Sequence, residues 1–156
     1  MTTPALLAID GARWFQRSEF PDTVRHCKPD LIHKLDEMRS ILGYPIHPSP
    51  VPGAWVRTDG SKTSRHYINH ADAGDIFPMG CPVLAYHAAL LTFSGVGIYF
   101  DTTYNGHPHP MLHVDLREKP TTWFRERGEY FYPNSDLAAR HKLMTFLTLW
   151  RNHERK

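Results

Sequence analysis

An α+β fold, a small antiparallel sheet with flanking helices, is predicted by three features of the sequence. Three stretches read as helices, two short stretches read as strands, and the two kinds are segregated rather than regularly alternating. The 156 residues suit one core, so 1–156 is read as a single domain.

The elements follow in chain order. From Pro29 to Gly43, the residues Leu31, Leu35, Met38 and Leu42 recur at helical spacing, with Asp30 placed to cap the start and Gly43 to end it. Pro82 to Phe93 is apolar nearly all round, as expected of a helix packed deep against a sheet. Gly95 to Phe100 reads as a strand. Met111 to Arg117 reads as another, because Leu112, Val114 and Leu116 alternate with His113, Asp115 and Arg117. These two are expected to pair across the polar loop Asp101 to Pro110. A third helix is predicted from Ser135 to Arg151, with Ser135 or Asp136 as cap and Leu137, Leu143, Phe146, Leu147 and Trp150 on its buried stripe. Prolines cluster at 45–52 and 108–120 and mark loops.

Composition narrows the function classes. Apolar residues make up 41% and charged residues 22%, which is globular. With 18 basic and 16 acidic residues interspersed, no field points to nucleic acid or a membrane as partner. Cys27 and Cys81 lack Cys-x-x-Cys spacing, which excludes a cysteine zinc knuckle and predicts buried thiols rather than a disulfide framework. No apolar run reaches the ~18 residues of a membrane span. Met1 to Phe15 lacks the charged and apolar regions of a leader, so synthesis in the cytoplasm is expected.

Eleven histidines stand out, and their placement carries the chemistry. Period 2 puts His113, Asp115 and Arg117 on one face of the predicted strand. Upstream, His66, His70, Asp72 and Asp75 crowd into a short segment with alanine and glycine between them, residues small enough to let backbone and ligands come close. Zinc takes neutral imidazoles and a carboxylate at about 2.0–2.2 Å, leaving a fourth position open for water where it is catalytic. His66, one of Asp72 or Asp75, and His113 can supply that set. A solvated strand face and a surface loop are the competing readings.

Three segments resemble the zinc D-Ala-D-Ala carboxypeptidases and L-alanyl-D-glutamate endopeptidases, the family that shares its fold with the hedgehog signalling domain. They are Ser64-Arg65-His66, Ala73-Gly74-Asp75-Ile76, and His113-Val114-Asp115-Leu116-Arg117. Phe15 to Phe20 and Asp30 to Ile46 are similar to the family more loosely. The resemblance implies a hedgehog/DD-peptidase-like fold. It also implies a Zn2+ ion held by His66, Asp75 and His113, and cleavage of peptide bonds in bacterial peptidoglycan by a metal-activated water. Asp75 is preferred over Asp72 because Ala73-x-Asp75-Ile76 keeps the family's local context. The spacing from His66 is nevertheless two residues longer than the family's usual one.

Two further departures bear on roles. The family's Ser-Gly-Tyr-Arg turn is replaced by the stretch from Ser49 to Arg57, and Pro110 stands where some members carry a glutamate base. The expected general base is therefore Asp115, which can alternatively orient a ligand imidazole, or His109, with His107 behind it. Arg57, Ser64 and Arg117 are the expected substrate-binding residues, and Arg65 is a further candidate clamp for a peptide carboxylate. Trp55, Trp123, Phe124 and the run Tyr130 to Tyr132 are candidates to line a groove. The expected partner is the peptidoglycan stem peptide, met by a monomer after phage-mediated release or on a virion. A non-catalytic zinc module of the same fold is the alternative.

Overall fold

The computed structural model describes residues 1–153. Four α-helices accompany a six-stranded, mostly antiparallel sheet and a separate two-stranded hairpin, a mixed α+β architecture. The helices are α1 (Pro4–Asp10), α2 (Pro29–Leu42), α3 (Pro82–Thr92) and α4 (Leu137–His153). The sheet contains β1 (Ile46–Pro48), β2 (Ala73–Pro78), β3 (Gly95–Tyr99), β6 (Met111–Asp115), β7 (Thr121–Glu126) and β8 (Glu129–Phe131), in the order β1-β2-β6-β3-β7-β8. The hairpin of β4 (Thr103–Tyr104) and β5 (His107–Pro108) interrupts what the sequence suggested was only loop.

The predicted helices form close to their expected bounds. Helix α2 begins on Pro29, whose missing N–H costs nothing in a first turn. Lys28, not Asp30, is its N-cap residue. It ends at Gly43, whose φ of 73° lies in the left-handed region that glycine adopts without a Cβ penalty. At α4, Asp136 Oδ1 accepts the Ala138 N–H at 2.9 Å and supplies the cap. Strands β3 and β6 pair antiparallel as expected. The sheet is larger than the sequence suggested and not wholly antiparallel, since β3 also pairs in parallel with β7. Among the described residues, no helix is long and apolar enough to cross a membrane.

Register decides what each face of the sheet carries. Ile46, Ile76, Leu112, Val114, Val96, Ile98 and Phe124 point to one side, where they join the buried residues of all four helices in one core. Asp75 on β2 pairs with His113 on β6, His113 pairs with Gly97 on β3, and Gly97 pairs with Trp123 on β7. Alternation then carries Tyr99, Met111, Asp115 and Arg125 to that same second face. The helices cover the first face, and the second lines a cleft.

Two glycines make the second face possible. A Cβ on Gly95 would collide with the Asp115 carboxylate, and one on Gly97 with the Trp123 ring. Both positions of β3 therefore need glycine for close approach rather than for an unusual backbone angle. The room they leave is filled by Asp115 and Trp123, side chains from the two strands that flank β3.

Candidate metal centre

His66, Asp75 and His113 converge on one point at the floor of the cleft. The two strand residues are brought together by cross-strand pairing. His66 arrives on the segment before β2, which is tied down by the Arg57 N–H to the His66 carbonyl at 2.9 Å and the Ile68 N–H to the Arg57 carbonyl at 3.0 Å. His66 Nε2 lies 2.9 Å from His113 Nδ1 and 3.3 Å from Asp75 Oδ1, and His113 Nδ1 lies 3.1 Å from Asp75 Oδ1. Ligands bound tetrahedrally at about 2.0–2.1 Å stand roughly 3.3 Å from one another, so this triangle fits a metal's first shell after only slight expansion. The group can hold a metal ion.

The other nitrogen of His113 is also accounted for. Nε2 lies 2.9 Å from Asp115 Oδ2, so the imidazole can donate its remaining proton to a buried carboxylate while Nδ1 stays free to ligate. Asp115 is fully buried. The backbone N–H and Nε of Arg117 donate to its Oδ1 at 3.1 and 2.8 Å. With the arginine and the histidine on it, Asp115 is held in the orienting position rather than free to take a proton from solvent. Burial pushes its pKa up, but Arg117 first and His113 second outweigh that and hold it well below the usual carboxylate range. Burial would likewise lower the His113 pKa, yet Asp115 and Asp75 together raise it to about 9. Asp75 is also held below the carboxylate range, because His113 and His66 overcome its desolvation.

Asp72 belongs to a different arrangement. It is buried and stands outside the three-donor group. Arg65 Nε donates to its Oδ1 at 2.8 Å, the second Arg65 nitrogen bonds Oδ2, and Lys28 Nζ donates to Oδ2 at 3.2 Å. Arg65 is thereby committed to Asp72, as Arg117 is to Asp115. Arg125, which also lines the cleft, donates through Nε to Asp101 at 2.9 Å. Arg57 has no carboxylate partner among the described residues. It donates to Ser64 Oγ at 2.8 Å, and its Nε is buried without a hydrogen-bond partner. His66 Nδ1 is the other buried side-chain nitrogen left unpartnered.

His109 stands apart from the cleft lining. Its Nδ1 lies 2.8 Å from the Pro110 carbonyl, and its ring packs near Phe77, Tyr104 and Trp150. The geometry thus brings neither His109 nor an unpaired Asp115 carboxylate to the three donors. Of the expected groove residues, Trp123, Tyr130 and Tyr132 line the cleft, while Trp55 and Phe124 are fully buried. Tyr99 was missed by the sequence reading. Its hydroxyl accepts the Trp123 Nε1 proton at 3.3 Å, and burial raises its pKa, so it faces the cleft as a neutral phenol. The pattern Gly95-x-Gly97-x-Tyr99 held the signal, because period 2 puts all three on one face. Cys27 and Cys81 are free thiols, with Cys27 pushed up to about 12 by burial and hence inert.

The main cleft has a volume of about 700 Å³ and combines Arg57, the Ser61, Thr63 and Ser64 hydroxyls, and an aromatic wall. Such a lining has the shape and polarity for an extended, polar molecule. No family model, no curated protein and no solved structure matches this chain.

Proposed function

We propose that this protein is a zinc-dependent peptidase of the hedgehog/DD-peptidase type, acting on the stem peptides of bacterial peptidoglycan. One observation carries the reading: two imidazole nitrogens and a carboxylate oxygen converge at 2.9–3.3 Å on the floor of an open cleft. The remaining nitrogen of one imidazole is held by a buried carboxylate, the arrangement that orients a ligating histidine. Two nitrogens and one oxygen suit zinc, and three protein ligands leave a position for water. The choice of peptidoglycan as substrate rests on the resemblance of the three motif segments.

Zinc bound there supplies Lewis-acid polarisation of a scissile carbonyl and lowers the pKa of its water toward about 7. The chain's own residues do the rest. Asp115 fixes the ring of His113. Arg57 offers a guanidinium without a carboxylate partner to an anionic group of the substrate, and Ser64 holds it in place. Tyr99 presents a neutral hydroxyl able to donate to developing negative charge. Trp123, Tyr130 and Tyr132 give flat surfaces for peptide and sugar.

A second reading, a non-catalytic zinc module, is favoured by one observation. Beyond Asp75, the main cleft is lined by no carboxylate and by no histidine other than the two donors among the described residues. Incubation with purified peptidoglycan, with and without a chelator, followed by mass analysis of the soluble fragments, separates the two. Chelator-sensitive release of peptide fragments is the expected result. Zinc retained at full stoichiometry with no release from any wall preparation would establish the module instead.

A further inference from the structure

A second, smaller cleft of about 500 Å³ opens beside the first, and the two share Gly53, Arg57, Asp75 and Met111. The metal donor Asp75 therefore stands on a saddle between two lobes rather than at the end of one pocket. Each lobe falls within the roughly 300–1,000 Å³ that accommodates a drug-sized ligand, more than a single amino acid.

The lobes differ in chemistry. The larger one carries the arginines, three serine and threonine hydroxyls, and the aromatic wall. Beyond the saddle, the smaller one is lined by short or apolar side chains, among them Ser49, Val51, Ala54, Thr102 and Thr103. Its one charged group beyond the saddle is Asp101, already bonded to Arg125 and to the Gly128 N–H at 2.7 Å. An enzyme that removes one terminal residue needs a cation to clamp the terminal carboxylate and a wall to stop the chain. Here the smaller lobe offers no cation beyond the saddle among the described residues, and its one carboxylate is already paired. The guanidinium that lacks a carboxylate partner, Arg57, sits on the saddle itself.

Resting on the peptidase reading above, we infer that the protein is an endopeptidase. Its substrate crosses the saddle of Arg57, Asp75 and Met111, with at least two residues in each lobe. The anionic, sugar-bearing portion lies in the larger lobe, and short uncharged residues lie in the smaller. The reaction is hydrolysis of an internal amide: water oxygen bonds to the carbonyl carbon, the C–N bond breaks, and a water proton passes to the departing nitrogen. No other reactant is consumed.

The test uses the full chain and cross-linked muropeptide dimers from purified wall, whose cross-link is an internal amide. With zinc loaded, mass analysis is expected to find products that each keep two or more amino acids, and no free alanine. Val51 is exposed on the rim of the smaller lobe, so Val51→Trp blocks that lobe with little burden on folding. It is expected to lower kcat/KM at least tenfold while zinc content stays at the wild-type level. A readout independent of turnover is NMR titration of the metal-free protein with the same muropeptide. Amide shifts are expected at both Ser64 and Tyr130 in one lobe and Val51 and Thr103 in the other. Release of single terminal residues, or shifts confined to one lobe, would overturn the inference and leave the peptidase reading standing. Absence of any hydrolysis by the zinc-loaded protein would overturn both.

Discussion

Arg65 and His66 are chain neighbours, and Asp72 and Asp75 are nearly so, yet they build two regions of opposite character. Arg65, Asp72 and Lys28 form an ion-paired network that ties the start of α2 to the loop before β2. The Lys28 N–H to the Ala71 carbonyl at 2.8 Å and the Leu116 N–H to the Asp72 carbonyl at 3.2 Å extend that tie to the end of β6. His66, Asp75 and His113 aim three lone-pair-bearing atoms at one another, with no arginine or lysine bonded to Asp75 among the described residues. The first region pairs one buried carboxylate with two partly exposed cations and is a fastening. The second leaves its donors converging on a point, which is costly unless a proton or a cation sits there. A buried carboxylate is thus told apart by what faces it, not by its burial.

The largest expected effect breaks the second region. His66→Ala, Asp75→Ala and His113→Ala should each abolish zinc retention in elemental analysis of the dialysed protein. A full zinc complement in any one of them would remove that residue from the ligand set. Next in size, Asp115→Asn keeps the shape but loses the charge behind His113. Losing such an outer partner weakens metal binding by roughly 10–100-fold. His113 carries a proton below pH about 9 in the metal-free protein, held by Asp115 and Asp75. Zinc must displace that proton, so wild-type affinity should climb as pH rises toward 9. The Asn variant, lacking the charge that holds the proton, should show a shallower climb. Competition titrations against a chromogenic chelator at pH 6 to 9 read both effects, and identical slopes would place the proton elsewhere.

The same linkage bears on stability. Pairing of protonated His113 with its two aspartates stabilises the metal-free fold fully below the unfolded imidazole pKa of about 6.5, and that contribution is lost as pH rises through about 9. The smallest effect on metal belongs to the first region. Asp72→Ala should bind zinc as the wild type does. It should cost roughly 1.5–3 kcal/mol of stability in urea unfolding, the scale of hydrogen bonds to a charged group. Arg65 and Lys28 are partly exposed and regain water, which keeps the cost at that level. Loss of zinc in this variant, with Asp75→Ala retaining it, would exchange the two regions' roles.

Much of the scaffold was legible because its signals are local. The stripe of α2, its terminal Gly43 and the alternation of β6 each depend on residues a few positions apart. The signal for α1 was present as well, since Thr3 accepts the Leu6 N–H at 3.5 Å and Pro4 opens the helix, but the stretch is only seven residues long. Strand β2 was obscured by its own composition. Ala73-Gly74-Asp75-Ile76-Phe77-Pro78 carries a glycine, a proline and a charge where an inner strand ordinarily shows β-branched residues. Gly74 is there because a Cβ would run into the Trp55 ring. The parallel pairing of β3 with β7 joins residues some 26 positions apart, as in Gly95 with Thr121, and no local pattern announces it.

Residue chemistry and short-range period, both present in the chain itself, determined the α2 helix, the β3–β6 hairpin unit, and the candidacy of His66, Asp75 and His113 as metal donors. Which carboxylate joins them was decided only in three dimensions. Sheet register sets Asp75 directly opposite His113, whereas Asp72, just before the strand, meets Arg65 and Lys28. The fates of Asp115 and His109 were settled the same way, one buried between His113 and Arg117 and the other packed against Tyr104 away from the cleft. The physical reason is common to all of them: a side chain's partners are chosen by long-range strand pairing and by the space two glycines leave, and neither is written in its neighbours along the chain.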